Sequence, residues 1–174
     1  AARGRGAAVM MAYGAHLVKN GAGPLVRALI EEGFITHLAT QGAGTIHDWE
    51  FAYQGTSSES VQDNAALGQF GSWDETGRWI SLAVLAGAAR GLGYGEALGE
   101  FIEEEALTLP EAGLLAKEIA AKPADELAGA KADLLWTMKQ FGLAGAKLAA
   151  PHPYKRYSIL ASAYRRRVPL TVHP

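Results

Sequence analysis

Residues 7–40 read AAVMMAYGAHLVKNGAGPLVRALIEEGFITHLAT, and this stretch decides the fold of the chain. Its apolar run at 7–13 is typical of a strand that is buried on both faces, as the strands of parallel sheets are. Pro24 opens a helical pattern that ends near Gly33, a residue suited to a helix C-terminus. The apolar run at 34–40 predicts a second strand. A strand, a helix and a strand in this order indicate a βαβ unit, and therefore a parallel sheet with a right-handed crossover.

The rest of the chain is mostly helical in pattern and returns to a strand near its end. A short helix or helical turn is predicted at 46–53, and helices are predicted at 75–90, 96–106, 110–122, 123–147 and 154–167. The apolar segment 168–172 (VPLTV) predicts a third strand. The sequence therefore predicts an α/β fold in which a large helical insertion separates the second strand from the third. Residues 1–174 are expected to form a single domain, because their number is typical of one domain.

The composition excludes several classes of protein. The 174 residues carry a formal net charge of -2, with 49% hydrophobic and 20% charged residues, as soluble globular domains do. No basic field is present to recruit nucleic acid or an anionic membrane, so neither is expected as a partner. There are no cysteines, which excludes disulfides, thiolate zinc sites and cysteine nucleophiles. No apolar run reaches the roughly 18 residues that span a bilayer, so a soluble, cytoplasmic chain is expected.

Two glycine-rich loops follow the first two predicted strands, at residues 14–20 and 41–48. Because ligands bind at the carboxyl ends of the strands in open parallel sheets, both loops are expected on one rim of the sheet. Glycines there allow backbone N–H groups to approach a pyrophosphate closely. Neither loop is a G-x-G-x-x-G fingerprint and the chain has no Walker sequence, so the glycines are equally consistent with tight strand-to-helix turns alone.

His47 is the candidate for proton chemistry. It lies beside Asp48 in the second loop, with His16 on the first, and a histidine beside a carboxylate can act as a general acid or base. The alternative is that His47 is a hydrogen-bonded polar residue or a helix cap. A metal site is not expected, because the five histidines include no i,i+4 pair. Ser57 and Ser58 lack a nucleophile-elbow context, and one of them is predicted to cap the next helix.

Several segments carry a resemblance to a known family. They are GAHLVKNG (14–21), THLATQGAGTIHDWEFAYQGTSSE (36–59), GQFGSWDETGRWI (68–80), GLGYGEALGEFIEEE (91–105) and YSILASAYRRRVPLTVH (157–173). With these segments the chain resembles the deoxyhypusine synthase family and, more closely, its bacterial deoxyhypusine synthase-like branch. The resemblance covers nearly the whole chain. Residues 14–55 are its specific part, and the alanine-rich middle matches loosely.

The resemblance implies a Rossmann-like parallel sheet flanked by helices, NAD as cofactor, and a homotetramer with active sites at subunit interfaces. The family enzyme oxidises spermidine with NAD and passes its aminobutyl group, through a lysine imine, to an acceptor lysine. By analogy, the residues that contact NAD are Gly14, Ala15, His16 and Asn20 on the first loop and Gln41, Gly42 and Ala43 on the second. His47, which is also the catalytic candidate, and Asp48 occupy positions that help hold the polyamine.

Two departures from the family bear on the function. Ile46 and His47 replace an acidic pair of the eukaryotic enzymes, which favours a related amine over a protein lysine as acceptor. The imine-forming lysine of the family would lie well downstream of 168–172, so the chain is expected to be a fragment of a longer protein. The leading hypothesis is an NAD-dependent aminobutyl-type transferase that acts on a polyamine or a related amine. The alternatives are a homospermidine-synthase-type or other NAD-dependent amine oxidoreductase, and a non-catalytic oligomeric module that binds the cofactor.

Overall fold

The computed structural model describes residues 3–57, 60–71 and 73–173. Its strands are β1 (Met10–Ala12), β2 (His37–Gln41), β3 (Ala106–Thr108), β4 (Lys147–Ala149) and β5 (Leu170–His173). Its α-helices are α1 (Ala15–Lys19), α2 (Gly23–Glu31), α3 (Gly42–Gln54), α4 (Val61–Ala66), α5 (Asp74–Ala88), α6 (Tyr94–Glu104), α7 (Ala112–Ala121), α8 (Ala128–Gln140) and α9 (Ile159–Arg166). Short 3-10 helices occupy Arg3–Arg5 and Lys155–Tyr157.

The centre of the fold is a three-stranded parallel sheet in the order β1-β2-β5. Leu38 of β2 lies opposite Met11 of β1 on one side and opposite Leu170 of β5 on the other. Leu38 and Leu170 are buried, and helices α3 and α6 contact the sheet, whereas Met10 and Thr171 on the opposite face are exposed. The predicted α/β class is confirmed: a parallel sheet flanked by helices, with a helical insertion before the last strand.

The βαβ unit forms as its sequence predicts. Pro24 stands at the start of α2, and Gly33 follows the end of this helix with a φ of 69°, a left-handed conformation that favours glycine. Arg27 and Glu31 form an i,i+4 ion pair of 3.4 Å, and Glu31 also pairs with Arg165 of α9 at 3.7 Å. Ile30 is buried on the inner side, where α2 packs against α9. Burial of this apolar face against α9 holds in place the helix that connects the first two strands.

The first strand is shorter and less buried than predicted. Only Met10–Ala12 pairs in the sheet, and Met10 is 66% exposed. The prediction of a strand buried on both faces at 7–13 is wrong, because β1 pairs with β2 alone among the described strands and therefore forms an edge of the sheet.

The second glycine-rich loop is mostly helix. Residues 41–45 were expected to form a turn, but α3 begins at Gly42, directly after β2. The side chain of Gln41 caps this helix by accepting a hydrogen bond of 2.7 Å from the Ala43 N–H. A Cβ on Gly44 would collide with the hydroxyl of Thr40, so glycine is required for α3 to start this close to the strand.

The insertion contains a second, antiparallel sheet that the sequence did not predict. Strands β3 and β4 pair with Leu107 opposite Leu148. The prediction of helix throughout 123–147 is wrong, because α8 covers only the middle of that segment and the chain then extends into β4. Ser60, rather than Ser57, caps α4; Ser58 lies outside the described residues.

Helix α9 is the most deeply buried element of the fold. Ile159, Leu160 and Ala161 are fully buried. Helix α6 approaches α9 so closely that a Cβ on Gly99 would lie 2.6 Å from the Leu160 carbonyl oxygen. The N-terminus of α9 is consequently shielded from water, and its free N–H groups need partners from within the protein.

Candidate functional site

The two predicted cofactor loops lie next to each other at the carboxyl ends of β1 and β2. A Cβ on Gly14, which follows β1, would lie 3.9 Å from Nε2 of Gln41, the last residue of β2. The Thr40 hydroxyl donates a hydrogen bond of 2.9 Å to the Tyr13 carbonyl oxygen and so ties the ends of these strands together. In α/β sheets of this kind this edge is where ligands bind.

The predicted cofactor residues differ in exposure. Gly14, His16, Asn20 and Ala43 are exposed, Gln41 and Gly42 are half-buried, and Ala15 is buried. A Cβ on Gly42 would meet nothing within 4 Å, so the space before the first turn of α3 is open. Asn20 follows the far end of α1, about 9 Å along the helix from Gly14. The structure therefore brings Gly14, Gln41 and Gly42 together and leaves Asn20 apart from them.

His47 belongs to a hydrogen-bonded cluster on α3. Its Nδ1 lies 2.9 Å from Oε2 of Glu50, one turn along the helix. The hydroxyl of Ser57 donates to the same carboxylate oxygen over 3.3 Å and lies 3.4 Å from Nδ1 of His47. The side chain of Glu50 is only 3% exposed and that of His47 is 17% exposed. A histidine held in this way by a buried carboxylate can exchange protons through its other ring nitrogen.

Asp48 has different partners from its neighbour His47. Its carboxylate is buried and accepts three hydrogen bonds at the start of α9: from the Ser158 hydroxyl at 2.6 Å, and from the backbone N–H groups of Ile159 and Leu160 at 2.9 and 3.0 Å. Burial raises the pKa of Asp48, and these three hydrogen bonds oppose the rise. The two residues that the resemblance assigns to the polyamine thus share no partner in the hydrogen bonds of the described chain.

A cavity of about 300 Å³ lies beside Asp48. Asp48 lines it together with the aromatic rings of Phe51, Tyr154 and Tyr157. A second cavity, of about 670 Å³, lies between the start of α6 and the start of β5, away from the edge that carries Gly14 and Gln41. The larger cavity therefore does not coincide with the predicted cofactor loops. The smaller cavity combines a carboxylate with aromatic rings, a combination that suits a cation.

His152 is a buried histidine that the sequence did not single out. Its ring packs edge-on against Phe101 at 4.9 Å and against Tyr53 at 5.8 Å between ring centres. Neither ring nitrogen has a hydrogen-bond partner within the described residues. Burial lowers the pKa of His152 to about 4, so the ring is neutral at physiological pH. Its position inside an aromatic cluster gives it a structural role.

Three further observations bear on the class of the protein. In the described ranges, no group of three or more His, Cys, Asp or Glu side chains could hold a metal ion. None of the helices there is both long and apolar enough to cross a bilayer. Comparisons with family models, curated proteins and solved structures gave no significant match to the chain. The fold and the edge of its sheet thus define an α/β protein with a candidate ligand-binding edge.

Glu50 and Ser57 contact His47, although the sequence assigned neither of them a part in the site. Glu50 stands three residues after His47, the spacing that places two side chains on one face of a helix. With α3 assigned as a helix, this spacing predicts that Glu50 and His47 are neighbours. The contact of Ser57 with His47 is not predictable from spacing, because Ser57 lies beyond the end of α3 and approaches His47 only after the chain turns at Gly55.

Proposed function

We propose that the chain is a cytoplasmic, deoxyhypusine synthase-like transferase that uses NAD to move an aminobutyl-type group from a polyamine to an amine acceptor. The observation that carries the proposal is that Gly14 and Gln41 lie next to each other at the carboxyl edge of the sheet, where a Cβ on Gly14 would be 3.9 Å from Nε2 of Gln41. Two loops that the resemblance assigns independently to NAD lie side by side there.

The residues at this edge fit a dinucleotide. The space at Gly42 is open, and Gly14 lies beside the Gln41 side chain. The first turn of α3 adds the positive end of a helix dipole, which favours a pyrophosphate. His16 and Ala43 are exposed beside it. NAD, when bound, would supply the acceptor for a hydride from the amine carbon.

The cavity beside Asp48 supports an amine as the substrate. Phe51, Tyr154 and Tyr157 line the cavity with aromatic rings, and the Asp48 carboxylate adds negative charge. The Tyr157 ring already holds a cation, the Arg156 guanidinium, 4.6 Å from its centre. His47 precedes Asp48 on α3 and is not among the residues that line the cavity. It is proposed to take a proton from the amine before oxidation, since an ammonium group cannot release a hydride until it becomes neutral. The Ile46-His47 pair leaves the site with less negative charge than two acidic residues would, in keeping with a related amine rather than a protein lysine as the acceptor.

We further propose that the chain forms a homo-oligomer, with a tetramer implied by the resemblance. Helix α4 buries none of its residues, and Val61, Leu67 and Phe70 in and after it are exposed. The face of the sheet that carries Met10 is also exposed. Exposed apolar side chains grouped on one element are usual at subunit contacts. Sedimentation is expected to give a species heavier than 18.4 kDa, and a clean monomer would contradict this part of the proposal.

NAD binding to the chain, measured by calorimetry, tests the cofactor site. His16→Ala and Gln41→Ala are each expected to weaken binding about tenfold or more, which corresponds to about 1.4 kcal/mol. Gln140→Ala, which removes an exposed glutamine at the end of α8, is the matched control and is expected to leave binding unchanged. Equal binding in all four proteins, or no binding at all, would contradict a cofactor site at this edge.

A second candidate function has its own observation. Ile46 and His47 stand where the eukaryotic enzymes of the resembled family carry an acidic pair, so this part of the chain offers less negative charge to a polyamine. This favours a homospermidine-synthase-type or other NAD-dependent amine oxidoreductase. Incubation with NAD and spermidine followed by mass spectrometry separates the two functions. Aminobutyl transfer to a protein lysine would exclude the oxidoreductase, and a free oxidised or condensed amine would exclude transfer to protein. NAD binding without turnover would support a non-catalytic module.

A further inference from the structure

The carboxylate of Glu50 is buried beside a histidine that the proposed chemistry uses. Its side chain is 3% exposed, and it lies in the middle of α3, where water reaches it poorly. An ionised carboxylate in such a place is costly unless hydrogen-bond donors face it. Two donors do so through Oε2: Nδ1 of His47 at 2.9 Å and the hydroxyl of Ser57 at 3.3 Å.

These contacts determine which nitrogen of His47 carries the proton. Oε2 of an ionised Glu50 is an acceptor, so Nδ1 must be the donor, and a neutral imidazole then has its lone pair on Nε2. Ser57 strengthens this assignment, because its hydroxyl donates its one proton to Oε2 and therefore does not donate to Nδ1, which lies 3.4 Å away. No hydrogen bond to Nε2 of His47 is made within residues 3–57, 60–71 and 73–173, so this nitrogen is open to a ligand.

We propose that Glu50 is a positioning residue that holds the neutral imidazole of His47 with Nδ1 protonated, so that Nε2 is the proton acceptor of the site. The role of Nε2 toward an amine rests on the proposed function; the tautomer does not. In the proton transfer, an N–H bond of the substrate ammonium breaks and an Nε2–H bond forms. The amine becomes neutral and the imidazole becomes an imidazolium, whose charge is balanced by Glu50. No other reactant is required.

A purely structural role for Glu50 is the competing explanation. In that case the hydrogen bonds would serve only to hold the chain after Gly55 against α3, and the identity of the protonated nitrogen would have no consequence. The two roles differ in a spectroscopic signature, because only the positioning role requires a single tautomer that depends on the charge of Glu50.

NMR of the imidazole nitrogens in the isotope-labelled chain tests the proposal directly. The signals of His47 are assigned by their loss in His47→Gln. We expect a protonated Nδ1 and an unprotonated Nε2 in the wild-type chain at a pH where the ring is neutral. In Glu50→Gln we expect a mixture of tautomers, because the amide group can either donate to Nδ1 or accept from it. Glu126→Gln, at an exposed glutamate before α8, is the control and should keep the wild-type signals.

Two results would overturn the proposal: a protonated Nε2 in the wild-type chain, or an unchanged single tautomer in Glu50→Gln with the fold intact by circular dichroism. If Glu50→Gln does not fold, Ser57→Ala, which keeps the carboxylate, must retain the wild-type tautomer. Addition of spermidine then tests the proposed function separately. A shift of the Nε2 signal supports the amine site, whereas a correct tautomer without such a shift contradicts the proposed function and leaves the positioning role of Glu50 established.

Discussion

Asp48 and Ser158 stand 110 positions apart in the chain and are joined by a hydrogen bond of 2.6 Å from the Ser158 hydroxyl to the Asp48 carboxylate. The same carboxylate accepts the N–H groups of Ile159 and Leu160. Ser158 is itself the N-cap of α9, since its hydroxyl oxygen accepts the Ala161 N–H at 3.0 Å. The middle of α3 is therefore fastened to the N-terminus of the helix that leads into β5, where a negative charge is favourable.

Replacement of Asp48 by Ala is expected to lower the free energy of unfolding by about 3 kcal/mol. The substitution leaves buried N–H groups of α9 without an acceptor, and each such group costs about 1 to 3 kcal/mol. Urea unfolding measures the change. Asp133→Ala, at an exposed position of α8, is the control and should stay within about 0.5 kcal/mol of the wild-type chain. If Asp48→Ala also lowers the free energy of unfolding by less than about 0.5 kcal/mol, water replaces the carboxylate at the start of α9.

The sequence could predict the parallel sheet but not the role of Asp48. A strand, a helix and a strand within residues 7–40 leave little choice of topology, because crossovers between parallel strands are nearly always right-handed. The pairing of β3 with β4 was not predictable in this way. Each of these strands has three residues, and the two lie on opposite sides of α7 and α8 in the chain, so no local pattern marks them. The hydrogen-bond partners of Asp48 are also far from it in the sequence, at Ser158, Ile159 and Leu160. Its neighbour in the sequence, His47, is not one of its partners.

The stability of the protein is expected to fall as the pH falls from about 6.5 to about 4, through His152. Burial lowers the pKa of this histidine to about 4 in the folded chain, from 6.5 when it is exposed. In that interval the unfolded chain binds a proton that the folded chain does not bind, so the free energy of unfolding decreases as the pH falls. A shift of this size corresponds to about 3 kcal/mol.

His152→Leu, which keeps an apolar side chain in the aromatic cluster, isolates the contribution of His152. The difference in unfolding free energy between wild type and variant, measured in urea across this pH interval, should change by about 3 kcal/mol and in the direction stated. The raised pKa of Asp48 contributes a dependence of the opposite sign, but it is common to both proteins and cancels in the difference. A constant difference across the interval would show that His152 is not buried as a neutral ring.

The candidate site was partly predictable for a physical reason. The position of the two loops at one edge follows from the parallel topology alone, since the carboxyl ends of parallel strands share an edge. The cluster around His47 depends on α3 starting at Gly42 rather than at Ile46, and the start of this helix depends on the cap made by Gln41. The sequence favoured a turn there, because glycines usually mark turns and the contact between Gly44 and Thr40 is visible only in three dimensions.

Gln41 and His16 should separate stability from binding. Gln41→Ala removes the cap of α3 and is expected to lower the free energy of unfolding by about 1 kcal/mol, in addition to its effect on NAD. His16 is exposed, so His16→Ala is expected to change stability by less than about 0.5 kcal/mol while it weakens NAD binding. Thermal and urea unfolding beside calorimetry give both quantities. Equal losses of stability in the two variants would contradict the assignment of Gln41 as the cap.

Two glycines in helices are expected to respond to alanine in opposite directions. Gly99 lies where α6 meets α9, and a Cβ there would be 2.6 Å from the Leu160 carbonyl oxygen and 2.8 Å from Cβ of Tyr164. Because the carbonyl belongs to a buried helix that cannot move freely, Gly99→Ala should destabilise the chain by about 2 to 3 kcal/mol. A Cβ on Gly77 of α5 would meet nothing within 4 Å. Gly77→Ala should therefore stabilise the chain by about 0.5 to 1 kcal/mol through helix propensity alone. Urea unfolding of the two variants side by side measures both effects. A gain of stability in Gly99→Ala would show that α6 and α9 are farther apart than the structure places them.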